Sequence, residues 1–134
     1  MVIDEYTWPD CFPEGVPPED SVRASGLVYR IVKNIPPTSN DFLCWLQDNP
    51  GKPAPSNVGK EKPYGVSFWT KESRARRLMN NYSQPEQLGT VYIVKGHLDA
   101  SLGVTEPSPN RKGHLTFWRA ENTNPHHHIN IQVN

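Results

Sequence analysis

Long apolar runs are missing from this chain: no stretch approaches the ~20 residues needed to cross a bilayer. The opening Met-Val-Ile-Asp-Glu-Tyr is acidic where a secretory signal would be basic and then apolar, so export by that route is not expected. Cysteine is scarce. Cys11 and Cys44 form neither a metal-type nor a redox-type pair, and a reduced, cytoplasmic setting is the expectation. Also absent are a Gly-rich phosphate loop, a nucleophile elbow and a paired-carboxylate motif, which removes the sequence signatures of several large enzyme classes. Net charge is absent as well, with 14 Lys+Arg against 14 Asp+Glu.

That neutrality conceals an uneven distribution. Residues 1–22 hold Asp4, Glu5, Asp10, Glu14, Glu19 and Asp20 and no base, a charge of −6. The remaining 14 bases and 8 acids of residues 23–134 give +6. Four prolines punctuate the acidic stretch, and Trp8 and Phe12 favour a leader docked on the body over a loose solvated arm. A chain of 134 residues fits one domain. The division read from the sequence is therefore a leader, 1–22, and a single domain, 23–134.

Proline, at 14 residues, is about twice its usual share of roughly 5%, which predicts fixed loops rather than a helical bundle. Leu27–Val32 is rich in β-branched and aromatic residues and apolar on both faces, as a central strand is. A hydroxyl cap at Thr38 or Ser39 and the spacing of Phe42, Trp45 and Leu46 predict a helix to about Asp48. Residues 49–63 read as a long loop and a plausible lid. Tyr64–Trp69 predicts a second strand. Thr70 then caps a second helix with an apolar stripe of Ala75, Leu78, Met79 and Tyr82. Strands are further predicted at Thr90–Gly96, His114–Trp118 and His128–Val133, the last alternating like an edge strand. Gly103–Gly113 reads as turns. The result is an α+β domain with a mixed or mostly antiparallel sheet of about five strands and two helices.

Arg30 lies on a strand face with Val28 and Val32, where a guanidinium needs either a partner or an anionic ligand. Ser67 stands on a strand running into a helix, near N–H groups that favour anions. His97 and His114 could divide general base and acid work on a phosphodiester if they converge. His126, His127 and His128 alternate in direction, and no metal site is expected of them. Lys71, Arg74, Arg76 and Arg77 beside Trp69 and Tyr82 could hold nucleic acid, a reading ranked below the others.

The arrangement Tyr29-Arg30 on an early strand, followed by Gly65-Val66-Ser67-Phe68-Trp69-Thr70 running into a helix with Ala75, resembles the ADP-ribosyltransferase-like fold. The resemblance covers about fifty residues. It implies a cleft for NAD, with Arg30, Ser67 and Thr70 as binding residues. The family's catalytic glutamate sits on a later strand. Here the nearest acid is Glu121, beyond the end of the strand that carries His114, so His114 and Glu121 are the catalytic candidates. On this reading the chain is a nucleotide-binding protein, and if an enzyme, a transferase or hydrolase acting on NAD or a related nucleotide. The alternatives are a non-enzymatic module that meets a protein partner or a second copy through an aromatic surface (Trp45, Trp69, Trp118) or the edge strand 128–133, and an RNA-binding protein or ribonuclease using His97 and His114.

Overall fold

The chain forms seven strands: β1 (Val22–Arg23), β2 (Gly26–Val32), β3 (Val66–Trp69), β4 (Tyr92–Leu98), β5 (Gly103–Pro107), β6 (His114–Arg119) and β7 (Ile129–Val133). Two α-helices accompany them, α1 (Trp45–Asp48) and α2 (Glu72–Asn80). The computed structural model describes residues 2–54, 59–81 and 89–133. The strands form one sheet in the order β1-β5-β6-β3-β2-β4-β7, with every neighbouring pair antiparallel.

The sheet has seven strands rather than about five. The two extra strands are β5 and the two-residue β1 that pairs with it. Only five residues long, β5 opens on Gly103, ends on Pro107 and runs into the turn-forming stretch that follows, so its local composition reads as turn.

The first expected helix is also corrected. Residues 38–48 form a 3-10 turn (Ser39–Phe42), an extended Leu43 (φ −77, ψ 149) and then the single turn of α1. The Asp41 carbonyl, which a continuous helix would offer to the N–H four residues on, instead accepts Nε–H of Arg30 at 2.7 Å. The Asp41 carboxylate accepts from the N–H groups of Lys33 and Thr38, at 2.9 and 2.8 Å, and so pins the turn to the end of β2. Burial works to raise this carboxyl's pKa, but those N–H groups and Asn34 outweigh it and hold the pKa below the usual range. The second helix begins at Glu72, with Lys71 as its N-cap. Ala75 is fully buried and Met79 packs beside it, whereas Leu78 is 43% exposed. Tyr82 and the possible lid's residues 55–58 lie outside the described residues.

Register decides which side chains share a face. Ser67 stands opposite Thr116 and Trp69 opposite His114. With Trp118, Val104, Tyr29 and Ile93 they form one face. Val66, Phe68, Phe117, Val28 and Val94 form the other, which Phe42, Cys44 and Leu102 close into the main core. Each fully buried Phe there contributes about 1.5–3 kcal/mol over exposure.

The first face is covered by two separate pieces. Met79 and Ala75 of α2 pack on Trp69 and Ile93. The leader folds Tyr6, Trp8, Phe12 and Val16 over Trp118 and Val104, and Glu5 meets Arg23 of β1. The strip between them, around Ser67, Thr116 and His114, is left open.

Candidate functional site

That open strip is the floor of a cavity of about 440 Å³. Its walls come from α1 (Trp45), from the turn before β3 (Lys62, Pro63, Gly65), from β3 and β6 (Ser67, His114, Thr116), and from the turn joining β5 to β6 (Ser108 to Arg111). Gly65 is required by close approach, because a Cβ there would lie 2.2 Å from Cγ2 of Thr116.

The β5–β6 hairpin brings two groups together. Ser108 Oγ lies 2.6 Å from Nδ1 of His114, and Lys62 Nζ is 3.4 Å from the same oxygen. The His114 ring meets Trp69 edge to face at 4.9 Å, while its Nε2 is buried with no hydrogen-bond partner among the described residues. Arg111 lies over the Trp69 ring, 5.0 Å from its centroid.

Burial, reinforced by Arg111 and Lys62, lowers the His114 pKa from 6.5 to about 4. The ring is therefore neutral at pH 7, poised to orient the Ser108 hydroxyl. Between pH 6.5 and 4 the unfolded chain takes up a proton that the folded chain refuses, so stability rises with pH across that window. We expect His114 to stabilise the fold fully above about pH 6.5 and progressively less toward pH 4. The loss is on the order of 2 kcal/mol, discounted because the cavity admits water. His126, also lowered mainly by burial, acts in the same direction. Denaturant unfolding at pH 4, 5, 6 and 7 measures this, and His114→Gln should flatten the profile.

The structure distributes the residues singled out in the sequence over four places. Ser67 and His114 share the cavity. Thr70 stands at its rim, where its hydroxyl donates to the Gly113 carbonyl at 3.2 Å. Arg30 lies on the opposite face of the sheet, between the rings of Phe42 and Phe68 at 5.6 and 5.9 Å. It donates from Nε to Asp41 O and from Nη1 to Ser67 O, the latter at 2.8 Å. Burial draws its pKa down from 12.5 to about 10, against the pull of Asp41 and Asp48, and its charge persists at neutral pH. Glu121 is exposed and lines a second cavity of about 230 Å³ with Arg119 and Cys44. His97 is on β4, separated from β6 by β3 and β2.

Lys62, Ser108 and Arg111 escaped the sequence reading because they sit in loops without periodicity. One signal was available: Ser108 and His114 bracket the turn residues Pro109, Asn110 and Gly113, and a hairpin there sets them face to face. Comparison with protein-family models, curated proteins and solved structures finds no match.

Proposed function

We propose that this chain binds a small phosphate-bearing nucleotide, of the class of NAD or ADP-ribose, in the cavity over β3 and β6. One observation carries the reading. Two cations, Lys62 and Arg111, line the cavity, and none of its described lining residues is Asp or Glu. Such a surface attracts anions and offers them the point charge of a lysine and the planar fork of an arginine. Ser67, Ser108, Asn110 and Thr116 add hydroxyl and amide groups for a diphosphate or ribose, and Trp45 provides a ring for a base. The ligand class agrees with the resemblance to ADP-ribosyltransferase-like proteins. The arginine that would meet the ligand is Arg111, while Arg30 holds β3 in place from behind.

Thermal melting and titration calorimetry with NAD, ADP-ribose, AMP and inorganic phosphate test this. A nucleotide at about 100 times its Kd should add about 2.7 kcal/mol of stability. Lys62→Ala and Arg111→Ala should each weaken binding about tenfold, as a lost charge-assisted contact of about 1.4 kcal/mol does. A folded protein that shows neither shift nor heat at millimolar concentrations of all four compounds leaves the proposal without support.

A further inference from the structure

We infer that the nucleotide held in this cavity is the end of a longer strand, so that the partner is a single-stranded nucleic acid. This rests on the nucleotide reading and extends it along the surface. The cavity mouth continues into a basic ridge that a mononucleotide would not need. The turn after β5 is fastened to the start of α2, with Thr70 N–H donating to the Gly113 carbonyl at 2.8 Å and the Thr70 hydroxyl to the same oxygen. Gly113, at φ +81, lies so close to α2 that a Cβ would be 3.3 Å from Cγ of Arg74. This seam sets Arg111 and Lys112 beside Lys71 and Arg74.

None of these four has a carboxylate within ion-pair distance among the described residues. The one acid in the first turn of α2, Glu72, is occupied by Arg76 at 2.8 Å. Near the cavity, Glu106 lies within electrostatic reach of Lys62, with its pKa raised by burial and by Asp20. Of the leader's acids, Glu5 engages Arg23 of β1, whereas Asp20 hydrogen-bonds Glu106 on the Lys62 side of the cavity, away from the seam with α2. On the other side of the cavity, along the seam with α2, the charged side chains are Arg111, Lys112, Lys71 and Arg74. The ring of Trp45, which lines the cavity, and the guanidinium plane of Arg111 offer surfaces on which bases can stack, as in proteins that hold single strands by backbone charge and stacking. A terminal phosphate would sit between Lys62 and Arg111, and the following phosphates would cross Lys112, Lys71 and Arg74.

Fluorescence polarisation with 5′-labelled and 3′-labelled eight-nucleotide RNA and DNA, read beside AMP titrations, tests this on the whole chain. The oligonucleotide should bind at least tenfold more tightly than AMP and be displaced by AMP. Its log affinity should fall with log salt at a slope of about −2 to −3, for three or four neutralised phosphates at ~0.7 each. Lys71→Glu with Lys112→Glu, both exposed, should lower oligonucleotide affinity at least tenfold while AMP binding and melting temperature hold. If AMP binds but the oligonucleotide binds no better, or the charge reversal leaves its affinity unchanged, the strand is overturned and the nucleotide site stands. If neither binds, both readings fall. The RNA and DNA arms distinguish the two sources of the same chemistry.

Discussion

Trp118→Ala is expected to destabilise the protein by about 4 kcal/mol, in the range for emptying a buried tryptophan site. The residue is 1% exposed and is the surface on which the leader closes, with Val104 and Val16 against it and Tyr6, Trp8, Phe12 and Tyr64 around them. Neighbouring rings reinforce one another: Trp8 stacks on Phe12 at 6.0 Å, and Phe12 meets Tyr64 edge-on at 5.6 Å. The indole N–H also donates to the Glu61 carbonyl at 3.1 Å, fixing the turn that carries Lys62. The truncation should therefore do more than lower the midpoint of urea unfolding. Amide protons of residues 2–21 should exchange faster, and nucleotide affinity should drop although Trp118 does not line the cavity. Trp118→Phe keeps most of the packing and should lose only about 1 kcal/mol, the worth of one hydrogen bond. A Trp118→Ala protein destabilised by under 1 kcal/mol, with its leader still protected, would contradict the role given to this residue.

Arg30→Ala is expected to cost about 3 kcal/mol, because it leaves two carbonyls without their charged donor and removes the guanidinium from between two rings. Asp41 O belongs to the turn that interrupts the first helix, and Ser67 O to β3, so the side chain ties two segments to β2. The Ser67 side chain faces the cavity while its carbonyl receives Arg30, which places the arginine behind the site. Nucleotides should accordingly still raise the melting temperature of Arg30→Ala from its lower baseline, by nearly the wild-type increment. Arg30→Lys, which can satisfy only part of the fork, should fall between the two in stability. Abolition of the nucleotide shift in a variant that remains folded would instead make Arg30 a ligand contact.

Strands read correctly in the sequence are those whose side chains meet apolar partners on one or both faces. β2 is apolar on both sides and sits inside the sheet; Ile129–Val133 alternates and forms an edge. Periodicity was informative where burial is continuous, and misled where one side chain redirects the backbone. Phe42, Trp45 and Leu46 keep helical spacing, yet Asp41 and Arg30 bend the chain between them. The site was half visible. Ser67 and His114 stand on strands and have assignable faces, whereas Lys62, Ser108 and Arg111 reach the cavity through turns whose geometry follows from the pairing of β5 with β6. Without β5 in view, nothing in the residue pattern placed Ser108 opposite His114.

The strand order has a kinetic consequence. Only β2 with β3 and β5 with β6 join strands consecutive in the chain; the other four pairings wait for segments made much later or much earlier. β3, which carries Ser67, needs β6, whose Thr116 is its cross-strand partner from far along the polypeptide. Loop closures of that kind slow the search for the native topology, and such a domain belongs with those that fold in milliseconds to seconds rather than microseconds. The cavity spans this late-formed seam, so Ser67 and His114 come to share it only once the register of β3 with β6 is complete.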